Sequence, residues 1–142
     1  MTATSGESGL TKSELWQLVA RASDPQCSSR HLAALARSGD LVVRTNVASN
    51  PACPPQLLHQ LAHDKEHSVR HAVAGHPKAP GDALNHLAGD APGICQQVVK
   101  HPQCPPDALV RLLSNPLLYI RRLAAAHPNL PEEYRVLAGL EQ

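Results

Sequence analysis

Three side-chain types in this sequence stand where they could do chemistry: cysteine, histidine and arginine. Cys27, Cys53 and Cys104 each follow an Asp-Pro, Asn-Pro or His-Pro dipeptide by two residues and come just before Ser28, Pro54 or Pro105, where a helix opens. That position reads as an N-cap slot. A helix N-terminus lowers a thiol's pKa and raises its reactivity, so a redox or metal role is one reading. A small residue tolerated at a cap is the plainer one, and it is preferred. Equivalent positions in stacked helices lie roughly 10 Å apart, whereas sulfurs around one zinc sit about 2.3 Å from the metal. These cysteines therefore do not share an ion. Cys95 falls in a slot that other units give to Arg and reads as a small packed residue.

Nine histidines require their own account. His59, His63, His67 and His71 recur every four residues, which on one unbroken helix would make a metal-chelating stripe. The segment His63-Asp64-Lys65-Glu66 marks a junction between two helices, so the stripe is expected to be broken and to retain only adventitious metal affinity. His76, His101 and His127 precede proline in successive units and form a ladder. A pH-sensing edge is one use of such a ladder; a turn residue whose ring bonds nearby backbone is the preferred reading.

Arg44, Arg70 and Arg121 share a slot directly after a Val/Ile position, with Cys95 in the unit between. They read either as a basic ladder for acidic groups or as internal ties to a carboxylate or loop carbonyl of the next unit. The tie is preferred, with Asp40 and Glu66, four residues earlier, as partners. The neighbouring slot holds Thr45, His71, Gln96 and Arg122, different in every unit. The candidate binding positions are thus Arg44, Thr45, Arg70, His71, Gln96, Arg121 and Arg122. No nucleophile motif, Gly-rich phosphate loop or paired-carboxylate constellation is present, so no catalytic residue, metal ligand or cofactor is assigned.

The elements that must hold these residues follow from the prolines. Asp24-Pro25, Asn50-Pro51, His76-Pro77, His101-Pro102 and His127-Pro128 recur at intervals of 26, 26, 25 and 26 residues, which is an internal repeat. Leu32, Leu58, Leu84 and Leu109 follow the first four dipeptides, with Leu35, Leu61, Leu87 and Leu112 three residues later, one helical stripe. Val43, Val69, Ile94 and Ile120 then pair at i, i+4 with Val47, Val73, Val98 and Ala124, a second helical face. Each unit thus predicts two short helices, the first opened by proline and the second closed by the next dipeptide. Helices this short need neighbours to be stable, as in a solenoid. Residues 1–9 read as a flexible tail. Thr11-Lys12-Ser13-Glu14 has the capping-box pattern that starts a helix to about Ala22, carrying Leu15, Trp16, Leu18 and Val19. This helix does not fit the register cleanly and is taken as an N-terminal cap over 10–23. Units at 24–49, 50–75, 76–100 and 101–126 follow, and 127–142 is a C-terminal half-unit in which Glu132 and Glu133 suit the first turn and Tyr134, Leu137 and Ala138 give an apolar side.

Written out, Asn50-Pro51-Ala52-Cys53-Pro54-Pro55-Gln56-Leu57-Leu58-His59-Gln60-Leu61-Ala62, followed by Val69-Arg70-His71-Ala72-Val73-Ala74-Gly75, closely resembles the leucine-rich repeat variant, a bacterial unit of similar length. The resemblance runs over about 24–138. It implies an all-α, right-handed α-solenoid of short two-helix repeats akin to HEAT repeats, with a second helix that is sometimes 3₁₀, and it implies no catalytic residues. An iron–sulfur module known in that family has no counterpart here, because no two cysteines form a close-spaced motif.

Composition bounds the function. Lys+Arg number 13 against 12 Asp+Glu, a net charge of +1, so no large single-sign field recruits nucleic acid or anionic membrane. There is no Phe, one Trp and two Tyr, which leaves a core of Leu, Ala and Val and few rings for base stacking. No apolar run approaches the roughly 20 residues of a membrane span, and the polar start lacks a secretory h-region. The expectation is a cytoplasmic, non-enzymatic scaffold that binds an unidentified protein partner through its second helices. The alternatives are a nucleic-acid module using Arg44, Arg70, Arg121 and Arg122, and a metal or redox sensor built on Cys and His.

Overall fold

A computed structural model of the protein describes residues 9–139. The expected tail, Gly9 apart, and the end of the expected C-terminal cap lie outside the described residues. Among those described there are ten helices and no strand: α1 Lys12–Ala22, α2 Ser29–Leu35, α3 Leu41–Ser49, α4 Pro55–Leu61, α5 His67–Ala74, α6 Gly81–Leu87, α7 Pro92–Lys100, α8 Pro106–Leu112, α9 Leu118–Ala126 and α10 Glu132–Gly139. They form an α-solenoid of two-helix repeats. First helices are seven residues long and second helices eight or nine, all of them α rather than 3₁₀.

The local signals explain these boundaries. Pro54, Pro80 and Pro105 are N-caps in extended conformation, with Pro55 and Pro106 at the first helical position. There the missing N–H has no partner to lose, and the fixed φ suits the helix. Ser28 caps α2 by accepting from His31 N–H at 3.2 Å. Each second helix ends at Asn50, Gly75, His101 or His127, at or just before the next dipeptide. None of these helices would persist alone.

Stacking supplies what the short helices lack. Second helices contact one another in the order α1, α3, α5, α7, α9, and first helices in the order α4, α6, α8, with each first helix packed on its own second helix. The core lies between these layers. Leu32, Leu58, Leu84 and Leu109 from the first helices meet Val43, Val69, Ile94 and Ile120 from the second, all fully buried.

The two ends depart from expectation. Helix α1 opens with the anticipated capping box, Thr11 Oγ1 accepting from Glu14 N–H at 3.1 Å and Glu14 Oε2 from Thr11 N–H at 3.2 Å. It is not out of register, however: it contacts α3 as a second helix, and Trp16, Val19 and Ala22 stand 26 residues before Val42, Thr45 and Ala48. Its misfit on paper arises because the slots matching Val43 and Val47 hold Gln17 and Arg21, both exposed. Polar residues suit a helix whose side away from α3 no other described helix covers. In α10, Tyr134 packs half-buried against the core while Leu137 is exposed, so the expected apolar side is narrower. The Ala138 side chain lies outside the described residues. Among the described residues no helix is long and apolar enough to cross a membrane.

Candidate functional site

The arginine slot ties one unit to the next at Arg44 and Arg70 and closes its own unit's loop at Arg121. Arg44 holds Asp64 with two hydrogen bonds, Nε to Oδ2 at 2.8 Å and Nη2 to Oδ1 at 3.2 Å, and donates from Nη1 to the Ser38 carbonyl at 2.9 Å. Arg70 repeats the arrangement one unit on, with Asp90 at 2.7 and 3.3 Å and the Asp64 carbonyl at 2.9 Å. Asp64 therefore serves two arginines, one through its side chain and one through its backbone. Arg121 donates to the Asn115 and Pro116 carbonyls at 2.8 and 3.2 Å.

The carboxylates anticipated for these ties were the wrong ones. Asp40 is the N-cap of α3 and accepts from Val42 and Val43 N–H at 2.8 and 3.2 Å, so its oxygens face the helix amides. Glu66 is likewise an N-cap, of α5. The carboxylates that Arg44 and Arg70 engage lie twenty residues after them, in the next unit. A signal for them exists in the sequence: where Arg gives way to Cys95, the residue twenty positions on is Asn115 instead of Asp. The Asp90 hydrogen bond, then its charge, raises the Arg70 pKa against the opposing effect of burial. Burial works against the Asp90 carboxylate too, but hydrogen bonds from Arg70 and the Ala91 N–H, with the Arg70 charge, hold it below the usual range.

Cys95 does part of the arginine's work. Its thiol, buried, donates toward the Ala88 and Asp90 carbonyls at 3.2 and 3.1 Å, and a cleft of about 480 Å³ opens beside it, lined by Asn115, Pro116 and Arg111 among others. Cys53 and Cys104 are not N-caps. The caps are Pro54 and Pro105, and the cysteines, one residue earlier, are fully buried under the turn, where the third unit has Ala79 and the fifth Leu130. Burial pushes Cys53 up to about 11 despite the nearby Lys78 charge, and Cys104 up to about 12. Burial also raises Cys95, with the Asp90 charge adding to it. At Cys53 and Cys104 burial thus deactivates the thiol, opposite to what a helix N-terminus would do. Cys27 is half-buried.

The His-Pro ladder is hydrogen-bonded through the core edge. Nε2 of His76 lies 2.7 Å from the Asn50 carbonyl, that of His101 2.7 Å from the His76 carbonyl, and that of His127 2.9 Å from the His101 carbonyl. Each Nδ1 accepts from the N–H two residues on, at 3.0 to 3.1 Å. A carbonyl partner requires Nε2 to carry the hydrogen, and an N–H partner requires Nδ1 to be bare, so the network assigns one neutral tautomer to all three rings. Asn50 meets the same two demands with its amide, donating to the Ala22 and Asp24 carbonyls and accepting from Ala52 N–H. Asp24 starts the series with only the accepting half, toward Gln26 N–H at 2.9 Å. These are turn residues bonded to backbone, in their own unit and the one before.

The four-residue histidine series is broken as anticipated, since α4 ends at Leu61 and α5 starts at His67. His63 instead stacks on His86 of the next unit at 4.0 Å between ring centroids, with His59 edge-on at 5.5 Å. His59 Nδ1 lies 3.3 Å from Asp82 Oδ2. Burial first, then the proximity of His63, lowers the His86 pKa. Among the described residues no three His, Cys, Asp or Glu are placed to hold a metal ion.

The remaining candidates sit on the outward side of the second helices. Thr45 is half-buried, donating to the Leu41 carbonyl at 2.8 Å and lying 3.3 Å from Ser68 Oγ. His71 is half-buried beside His67, Gln96 accepts from Tyr119 Oη at 3.3 Å, and Arg122 is exposed. Sequence reasoning overlooked the apolar residues of this side: Trp16 is 67% exposed, Val42 48%, Leu118 50% and Tyr119 45%. Charge is also unevenly divided. Helices α1, α3, α5, α7 and α9 carry seven Lys/Arg and a single acidic residue, Glu14, whereas the rest of the chain carries six and eleven.

Comparison with known proteins gives a match over part of the chain. Residues 16–76 match the family model of the Leucine Rich Repeat Variant domain, from α1 to the start of the third unit, and the same register continues to α10. No curated protein and no solved structure matches the chain.

Proposed function

We propose that this array of leucine-rich-repeat-variant units is a non-enzymatic scaffold that binds a protein partner through the outward face of its second helices. The observation that carries the reading is the contrast between the two sides of those helices. From α3 to α9 one inward slot runs Val43, Val69, Ile94, Ile120, while the outward slot runs Thr45, His71, Gln96, Arg122. A constant frame with a varied face is how a repeat array is fitted to one partner.

Of the seven candidate positions, Arg44 and Arg70 hold the frame through Asp64 and Asp90, and Arg121 does so through loop carbonyls. Thr45, His71, Gln96 and Arg122 are the ones a partner would touch. Arginines already committed to carboxylates weigh against a phosphate-binding ladder, and buried thiols of raised pKa weigh against a redox sensor. The same proposal takes 24–49, 50–75, 76–100 and 101–126 as whole units, with 10–23 and 127–142 as caps.

The test is site-specific photo-crosslinking in the native cell, with a benzophenone amino acid at Gln96 or, on the opposite layer, at Asp82. Adducts to a protein from position 96 and none from position 82 support the reading. Adducts only from position 82, or only to nucleic acid, overturn it.

A further inference from the structure

We propose that the second-helix face binds an extended acidic peptide segment of about ten residues with an apolar residue at each end; this rests on the scaffold reading and adds the chemistry of the partner. Charge points to it first. Of the seven cations in the second-helix layer, Arg44 and Arg70 are matched by Asp64 and Asp90. No carboxylate ion pair engages Lys100 or Arg122 among the described residues, and both are exposed on the outward slots that hold Ser49 and Thr45 in another unit. The net charge of +1 conceals this because eleven of the twelve acids lie outside the second helices, Asp40 and Glu66 at the N-caps of α3 and α5 and Asp64 and Asp90 spent on Arg44 and Arg70. Interactions at a surface are screened over about 8 Å in physiological salt, so the local excess is what a docked segment meets.

The relief of the face gives the ends. One outward slot runs Trp16, Val42, Ser68, Gly93, Tyr119 along the array: large exposed apolar groups at both ends and small residues between. A Cβ on Gly93 would meet nothing within 4 Å, so the middle is open. Between the ends stand half-buried Asn46, His71, Gln96 and Gln97. Such groups suit an extended backbone, which brings N–H and C=O groups that need partners. Five stacked helices at 8–10 Å spacing put Trp16 roughly 30–40 Å from Tyr119, the span of about ten extended residues. Two rings this far apart do not make the continuous platform that single-stranded nucleic acid uses.

Trp16 is the single tryptophan, so its emission reports occupancy of one end of the face. The experiment titrates the full chain with a synthetic peptide of about twelve residues, Leu near both ends and Glu at alternate interior positions. The controls are the same peptide with Lys for Glu and a single-stranded RNA of matched length. Binding of the acidic peptide should shift Trp16 emission, and K100E/R122E should weaken it about tenfold or more with an unchanged melting temperature. Acidic peptide binding no tighter than the Lys peptide, or unmoved by K100E/R122E, overturns the proposal, as does RNA binding more tightly on the same face. If the Lys peptide alone shifts Trp16 emission, the acidic partner is refuted while the second-helix scaffold stands. If neither peptide shifts it and position 96 gives no protein adducts, both readings fall.

Discussion

His101 donates from Nε2 to the backbone carbonyl of His76 at 2.7 Å, twenty-five residues earlier and one unit down the array. The bond gives a buried carbonyl a second partner beside the Ala79 N–H at 3.0 Å, at the point where proline has removed the next N–H from service. The ring's other nitrogen takes the Gln103 N–H at 3.0 Å, so a single side chain closes its own turn and ties it to the turn before. Leucine has the bulk for this site and neither function. His101→Leu removes both bonds and strands the Gln103 N–H, at about 1–3 kcal/mol, while the His76 carbonyl keeps only Ala79. Asn50 shows that an amide can fill both roles, so His101→Asn should melt well above His101→Leu by circular dichroism. Equal melting temperatures would exclude the ladder as a source of stability.

The Arg70–Asp90 pair makes a separate claim about acid stability. The Asp90 carboxylate is held below its ordinary pKa, so it contributes stability that is present above about pH 4 and is lost as the pH falls through the folded value. Arg70→Ala should lower stability at neutral pH by about 1–3 kcal/mol, since it strands a half-buried carboxylate. Denaturant midpoints for wild type and Arg70→Ala should then converge as the pH drops below about 4. Midpoints that keep a constant separation into acid would contradict the pairing.

Helix positions, their two-layer stacking and the core leucines were all legible in the sequence, because a 26-residue period superimposes the same i, i+3 and i, i+4 stripes unit after unit. What escaped was whatever depends on how one unit sits on the next. An i−4 rule pointed Arg44 to Asp40, yet Asp40 is an N-cap engaged with Val42 and Val43, and the guanidinium reaches outward to Asp64 instead. The cysteines were misplaced by one residue, enough to move a thiol from a cap into the core. Helix α1 looked irregular because Gln17 and Arg21 replace core residues at a terminus. The exposed Trp16 and Tyr119 were visible as letters, but only stacking puts them in one row.

Burial ranks the four thiols. At about pH 8, Cys53 and Cys104, raised to about 11 and 12, and Cys95, raised and bonded to carbonyls, should carry little thiolate. Cys27, half-buried with Ser28 as its helix cap, should be modified first. Mass spectrometry of iodoacetamide-treated native protein should find Cys27 labelled well before the others, with all four labelled in denaturant. Fastest labelling at Cys53 or Cys104 would restore the reactive-cap reading.

His86 faces His63, His59, Asp90 and Arg111, and burial together with the His63 ring lowers its pKa. The unfolded chain therefore takes up the proton first, and stability present at neutral pH declines as the pH falls through about 6.5. His86→Gln keeps the size and polarity and removes this titration. Its melting temperature should fall less than that of wild type between about pH 7.5 and pH 5.5. Parallel curves would show that the stacked pair has no part in the pH response.

The break at Cys95 allows the Arg–Asp relationship to be tested by rebuilding it. Arg44 with Asp64 and Arg70 with Asp90 share one spacing, and residues 95 and 115 occupy the corresponding places as Cys and Asn. The cleft of about 480 Å³ at Cys95 leaves room for a longer side chain, and Asn115 lines it. Cys95→Arg alone would put a guanidinium near Arg111 where the nearby carboxylate, Asp90, is already held by Arg70, and should destabilise. Asn115→Asp alone would place a half-buried carboxylate opposite a thiol and should also destabilise. Together they recreate the two-point pair seen in the earlier units, so a double-mutant cycle on denaturant midpoints should return a favourable coupling of about 0.5–3 kcal/mol. Strict additivity would mean that the twenty-residue spacing does not carry a transferable tie, and that Arg44 and Arg70 depend on features peculiar to their own units.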